Sequence, residues 1–145
     1  MELAEKLDAR EQIKVLKARY FRFVDTRQWD ALRALFIPDA RFDSRGSGMG
    51  EVTDLDAFMA GCIKGLAGCI SVHHGHCPEI ELTSATTAKG IWPMEDMLYY
   101  AEQAARPARS VHGMGHYHET YEKRDGEWKI ASWNLTRLHV RTVPA

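Results

Sequence analysis

The chain has 145 residues, 45% of them apolar and 27% charged, and a formal net charge of -1. Those totals describe one soluble globular domain, residues 1–145, with enough apolar mass for a single core. They exclude the broad positive field of a nucleic-acid binder, and no apolar run approaches the roughly 20 residues of a membrane span.

The N-terminus, Met-Glu-Leu-Ala-Glu-Lys, is charged and helix-forming, without the basic start and apolar stretch of a secretory signal. Cys62, Cys69 and Cys77 are odd in number and lack CxxC spacing, which fits reduced, buried and inert thiols in the cytoplasm.

Residues 3–26 predict a long amphipathic helix, with Leu3, Leu7, Ile13, Leu16, Tyr20, Phe23 and Val24 at near-helical spacing. Asp25-Thr26 ends it. Thr26 or Asp30 can cap a second helix around Trp29, Leu32 and Leu35, which Pro38-Asp39 closes before a strand begins at Ala40-Arg-Phe-Asp. Residues 44–50 are glycine-rich and predict a flexible loop. Asp54 is the expected cap of a third helix over roughly 55–66, with Leu55, Phe58, Met59, Cys62, Ile63 and Leu66 inward.

Strands follow. Residues 80–83 alternate, as do 88–98, and 111–122 and 128–140 form a pair joined by the Asp-Gly hairpin signal of Arg124-Asp-Gly-Glu127. Residues 101–110 read as a polar loop or a short helical excursion. Three helices followed by a mostly antiparallel sheet is an α+β layout, and a strongly bent sheet around the long helix would leave a pocket between them.

Period two places Trp92, Met94, Asp96 and Leu98 on one strand face. A carboxylate among apolar groups is either paired or lines a cavity, and His73 offers it a partner. Within Ser71-Val-His-His-Gly-His76, an extended backbone puts His74 and His76 on one face and His73 on the other. His73 is then a candidate base held in one tautomer by a carboxylate. The alternatives are a histidine satisfied by backbone groups, or metal ligation by His74 and His76 together with His116 and His118.

Tyr20 lies on the inner helix stripe and needs a partner for its hydroxyl, structural or a substrate carbonyl oxygen. Asp25, five residues on and roughly 140° around, reaches the same pocket only if the helix ends there. Arg137 is either an exposed strand arginine or a cation for an anionic group. Phe42, Phe58, Met59, Trp92, Met94, His112 and Met114 would make any pocket hydrophobic and suited to a ring compound. A phenol, an imidazole and two carboxylates from separate elements suffice for proton abstraction beside a carbonyl, with no cofactor. No GxGxxG or GxxxxGK[ST] loop points to nucleotide chemistry.

The stretches Ala18-Arg-Tyr-Phe-Arg-Phe-Val-Asp25, Trp29-Asp-Ala-Leu-Arg-Ala-Leu-Phe36 and Pro38-Asp-Ala-Arg-Phe42 resemble the opening of SnoaL-like proteins of the nuclear-transport-factor-2 superfamily. Ser71-Val-His-His-Gly-His-Cys-Pro-Glu-Ile80, Thr87-Ala-Lys-Gly-Ile-Trp92 and Glu95-Asp96 are similar to the bile acid 7-alpha-dehydratase branch, and more distantly to scytalone dehydratases. The closing Tyr121-Glu-Lys and Asp125-Gly-Glu-Trp-Lys-Ile130 are typical of the wider superfamily.

The resemblance implies a cone-shaped barrel in which N-terminal helices pack on a strongly bent, mixed but mostly antiparallel sheet. It places the dehydratase residues on Tyr20, Asp25, His73, Asp96 and Arg137, with Asp96 or Asp25 orienting His73. It also implies a homotrimer, with a homodimer as the second choice. Pro93 departs from the family pattern in the strand, and the chain ends soon after Arg137 without a long C-terminal lid. The expected activity is that of a cofactor-independent lyase (a dehydratase) or isomerase acting on a hydrophobic cyclic ketone or enone, steroid- or polyketide-like, with no nucleic-acid or membrane partner. A non-catalytic pocket domain, a metal-dependent enzyme and an auxiliary subunit of a larger complex are the alternatives.

Overall fold

The computed structural model describes residues 1–47, 51–101 and 108–144. Residues 48–50 of the glycine-rich run and 102–107 of the predicted polar loop lie outside the described residues.

Helix α1 (Leu3–Asp25) opens with a capping box, in which the side chains of Glu2 and Glu5 each accept from the other's backbone N–H. It ends at Thr26, whose Oγ1 donates to the Arg22 carbonyl at 2.6 Å. Its buried stripe is Ala9, Ile13, Leu16, Lys17, Tyr20 and Val24. Leu3 and Leu7, expected on that stripe, are 71% and 52% exposed because the first two turns project past the core.

Arg27, at φ 60, turns the chain sharply into α2 (Trp29–Arg33), whose N-cap is therefore Gln28 and neither Thr26 nor Asp30. Strand β1 (Phe36–Asp43) starts four residues before the predicted Ala40. Pro38 does not close a helix; it sits inside this strand where the pairing register slips, a place where a missing N–H is tolerated. A single 3-10 turn (Arg45–Ser47) and the short β2 (Val52–Thr53) lead to α3 (Leu55–Gly65). Asp54 caps α3 as expected, accepting from Ala57 N at 2.9 Å, but Ile63 faces out at 46% exposure.

The remaining strands are β3 (Cys69–Gly75), β4 (Glu79–Leu82), β5 (Thr87–Tyr100), β6 (Ala108–Arg124) and β7 (Glu127–Pro144). Residues 108–110 thus belong to a strand where a loop was expected. Asp125 (φ 51) and Gly126 (φ 82) make the two-residue left-handed turn that joins β6 to β7.

The sheet order is β2-β1-β7-β6-β5-β3, with β4 also paired to β5. Among the described residues only β1 and β7 run parallel; the other pairs are antiparallel. The sheet curls around α1 but does not close, since its edges β2 and β3 are not joined. Alternation sends Trp92, Met94 and Asp96 of β5, Tyr117, Glu119 and Tyr121 of β6, and Trp133 and Leu135 of β7 to the buried inner face.

Beneath α1 the core carries a charge. Lys17 is fully buried, its Nζ paired with Glu119 and resting 4.1, 4.8 and 3.7 Å from the ring centres of Tyr20, Phe21 and Tyr117. Glu119 also accepts from the Tyr121 hydroxyl, which in turn accepts from Trp92 Nε1 at 2.8 Å. Burial disfavours the ammonium and outweighs the Glu119 charge and hydrogen bond, so the Lys17 pKa falls below its ordinary value. Every polar atom in this chain of contacts finds a partner, which is the condition for placing ions in a core.

Candidate active site

Two strand residues and the end of one helix build the centre of the site. The α1 helix stops at Asp25, and its carboxylate reaches across to β3. Asp25 Oδ1 lies 2.6 Å from His73 Nδ1, and Asp25 Oδ2 accepts from the His73 backbone N–H at 2.7 Å. Ser71 Oγ donates to Asp25 Oδ1 at 2.9 Å from the same strand face. Arg27 clamps the joint: its Nη1 donates to Val24 O and to Ser71 Oγ, both at 2.7 Å, and its Nη2 donates to Cys69 O.

Burial pushes the Asp25 pKa up, but the His73 ring, the His73 backbone N–H, the His73 charge and Ser71 together pull it below the usual carboxylate value. Of the two carboxylates that could orient His73, the one in contact is Asp25.

Asp96 stands directly across from His73 in the β3–β5 register, yet its partner is Arg137. The guanidinium binds it through two parallel bonds, Nη1 to Oδ1 at 2.7 Å and Nη2 to Oδ2 at 2.8 Å. Arg137 crosses above Gly113, where a Cβ would come within 2.3 Å of Arg137 Nη1 and 2.5 Å of Asp96 Oδ1. A side chain at 113 would occupy the space of the ion pair. Burial alone would lower the Arg137 pKa; the pairing with Asp96 reverses that and raises it.

Tyr20 is 3% exposed and packs edge-on against Phe21, Phe36 and Tyr117. Burial, then the neighbouring Tyr117, Cys62 and Glu119, push its hydroxyl pKa well above the ordinary value, while the facing Trp133 indole opposes the rise. Tyr117 was not singled out in the sequence, yet it is the phenol beside Asp96 and Arg137. Its signal was period two along β6, which sends Tyr117, Glu119 and Tyr121 inward together. Arg27 and Ser71 were also missed. Their signals were a basic residue just past a helix end and a hydroxyl two positions before His73 on the same face.

Of the expected pocket residues, Phe42 and Phe58 stack at 3.9 Å, Met59 is buried in the same core, and Trp92 and Met94 line the inner face with Asp96. His112 and Met114 do not join them. The β5–β6 register pairs Asp96 with Gly113, so His112 and Met114 pair with Met97 and Glu95 on the opposite face. There His112 Nε2 lies 3.0 Å from Glu95 Oε2, and Met114 is 36% exposed.

His74 Nδ1 and His76 Nε2 also approach Glu95, at 3.7 and 3.6 Å. His116 and His118 lie farther along that face with ring centres 6.3 Å apart. Among the described residues no three His, Cys, Asp or Glu side chains are arranged to hold a metal ion.

The thiols depart from expectation in part. Cys62 and Cys69 are half-buried, and burial pushes the Cys62 thiol up to about 12, but Cys77 is exposed. Two clefts lie away from the Asp25–His73 pair. One of about 690 Å³ runs over β4–β7 past Ile80, Lys89, Ile91 and His118, and one of about 390 Å³ lies beside Arg27, Trp29, Leu66 and Ile70.

Residues 5–134 match the SnoaL-like domain. The chain is similar to a candidate cyclase, FGR4, of Gibberella zeae, with 28% identity over 151 aligned positions covering 94% of this chain and 96% of that protein. Its structure is similar to that of a type 2 hexachlorocyclohexane dehydrochlorinase, LinA, at 22% identity, with 99% of this chain and 95% of that one covered and a TM-score of 0.83. It is similar as well to a candidate scytalone dehydratase of Novosphingobium aromaticivorans DSM 12444, again at 22% identity, covering 99% of this chain and 93% of that one with a TM-score of 0.85. At those identities the structural likeness establishes the fold.

Proposed function

The chain belongs to the SnoaL-like domain family, and from that premise we propose that it is a cofactor-independent lyase or isomerase acting on a hydrophobic cyclic ketone or enone, by elimination of water. The observation that carries the reading is the Asp25–His73 pair. A carboxylate on Nδ1 fixes the tautomer and ring plane, and leaves Nε2 as the ring nitrogen that takes a proton.

In this mechanism His73 Nε2 removes the proton beside the substrate carbonyl. The C–H electron pair forms a carbon–carbon double bond, and the carbonyl oxygen takes the negative charge. Tyr20, a protonated phenol at neutral pH, donates a hydrogen bond to that oxygen. The enolate then expels the β-hydroxyl, which leaves as water with the proton that His73 carried. Asp25 steadies the imidazolium between the two steps. Arg137, held by Asp96, faces the developing negative charge.

The aromatic and methionine side chains Phe42, Phe58, Met59, Trp92 and Met94 support a steroid- or polyketide-like ring substrate. The relatives named a dehydrochlorinase, a candidate dehydratase and a candidate cyclase support the broad class. Self-association, a homotrimer first, fits Ile70 and Leu138 at 70% and 76% exposure, and light scattering tests it. A reducing cytoplasm would keep Cys62, Cys69 and Cys77 as free thiols.

The test is a panel of cyclic β-hydroxyketones, followed by the absorbance of the conjugated enone. Wild-type protein is expected to dehydrate at least one member, and His73→Ala to lose about 10²-fold or more of that rate while keeping its circular dichroism. Full activity in a folded His73→Ala variant would overturn the assignment.

A further inference from the structure

Among the described residues, three buried side-chain polar atoms have no hydrogen-bond partner: Trp128 Nε1, Trp133 Nε1 and Asn134 Oδ1. Trp128 follows the β6–β7 turn, and Asn134 lines the cleft over β4–β7. Trp133 differs from both in where it sits. It is 5% exposed on the inner face of β7, with its indole 5.4 Å from the Tyr117 ring and 5.7 Å from Phe58.

Ring neighbours and strand register lead from there toward the proposed base. The Tyr117 ring is 6.1 Å from Tyr20, the Tyr117 hydroxyl neighbours Asp96 and Arg137, and Asp96 stands opposite His73 across the strands. The indole N–H faces the Tyr20 hydroxyl but closes no hydrogen bond with it. An indole nitrogen donates and never accepts; the Tyr20 oxygen only approaches it, and an acceptor entering this space would complete the bond. Buried donors without acceptors are rare in folded proteins, and one beside a candidate reaction centre is a vacant half of a hydrogen bond.

We infer that Trp133 Nε1–H is a further catalytic donor, binding the substrate's carbonyl oxygen together with the Tyr20 hydroxyl. The inference rests on the elimination reading above and names the second group that receives the enolate charge. As His73 takes the proton, the oxygen gains the electron pair of the carbonyl π bond and both hydrogen bonds strengthen. Neither Tyr20 nor Trp133 gives up its proton, so the balance of the step is unchanged. Two rigid donors on separate elements, α1 and β7, also define where the oxygen sits relative to His73. A ring ketone would then be held by its oxygen at the aromatic end, with its acidic carbon toward β3.

The probe is 2-naphthol, a flat bicyclic phenol whose oxygen stands in for the enolate. With ¹⁵N-labelled wild-type protein, one of the four tryptophan indole N–H resonances is expected to move downfield on binding, and that resonance is the one missing from Trp133→Phe. Calorimetry is expected to show roughly 10-fold weaker 2-naphthol binding in Trp133→Phe and in Tyr20→Phe. If 2-naphthol binds and weakens with Tyr20→Phe, but no indole resonance moves and Trp133→Phe binds as wild type, the role of Trp133 is refuted and the elimination reading stands. If wild-type protein does not bind 2-naphthol, or binds it regardless of Tyr20, both fall. The wild-type resonances decide the matter even if Trp133→Phe folds poorly.

Discussion

Asp25 holds His73 at two points, the ring through Nδ1 at 2.6 Å and the main chain through its N–H at 2.7 Å. One carboxylate therefore fixes both the position of the strand and the plane of the imidazole. Because the carboxylate comes from the last turn of α1, the helix end and β3 are registered to each other by the same group that prepares the proposed base.

Replacing Asp25 with Asn keeps the shape but removes the charge that steadies an imidazolium. Turnover on a confirmed substrate is expected to fall about 10²-fold or more, with substrate affinity little changed. Steady-state kinetics on the folded variant checks this.

The depressed pKa of Asp25 makes part of the stability pH-dependent. A carboxylate held below its unfolded value contributes fully above about pH 4 and loses that contribution as pH falls through the folded value. The difference in thermal midpoint between wild type and Asp25→Asn is therefore expected to shrink as pH falls below about 4. A difference that stays the same between about pH 5 and about pH 3 would contradict the attachment to His73.

Gly113 and Gly115 separate a perturbed site from a perturbed fold. At Gly113 the three atoms nearest an added Cβ belong to side-chain ends, Arg137 Nη1 and Cζ and Asp96 Oδ1, which can swing away. Gly113→Ala is expected to fold and to lose activity because the Asp96–Arg137 pair is displaced. At Gly115 the Cβ would lie 1.9 Å from the Thr136 carbonyl oxygen, so the backbone at the bulge must shift. Gly115→Ala is expected to cost about 1–3 kcal/mol or more in stability. Thermal denaturation of both variants, with activity measured on each, checks the contrast.

Lys17→Met would strand Glu119 in the core without its cation, at an expected cost of about 3–5 kcal/mol. The double variant Lys17→Met, Glu119→Gln removes both charges while leaving the Tyr121 hydroxyl an acceptor, and is expected to recover most of that loss. Denaturant melts of the single and double variants measure it.

Local pattern carried much of this in the sequence. The alternation along β5 correctly grouped Trp92, Met94 and Asp96, the Asp54 cap opened α3, and Asp125-Gly126 made the hairpin. What was hidden depended on long-range register. His112 and Met114 were assigned to the pocket side because nothing local says that Gly113 lies opposite Asp96. The choice between two carboxylates for His73 turned on Arg137 crossing above that glycine to claim Asp96. Lys17 and Glu119 lie 102 positions apart, so their pairing left no signal beyond two charges on otherwise apolar faces. Pro38 read as a stop signal because its tolerance within β1 depends on a slip against β7.

The proposed base is tested most directly by its first step alone. The protein is incubated in water with cyclic ketones deuterated beside the carbonyl, bicyclic and steroidal, and proton NMR follows the wash-out of deuterium. Wild type is expected to exchange at least one of them faster than buffer, with the rate reduced in Asp25→Asn and abolished in His73→Ala. Equal exchange by wild type and a folded His73→Ala variant, or no exchange of any ketone by wild type, would contradict the account.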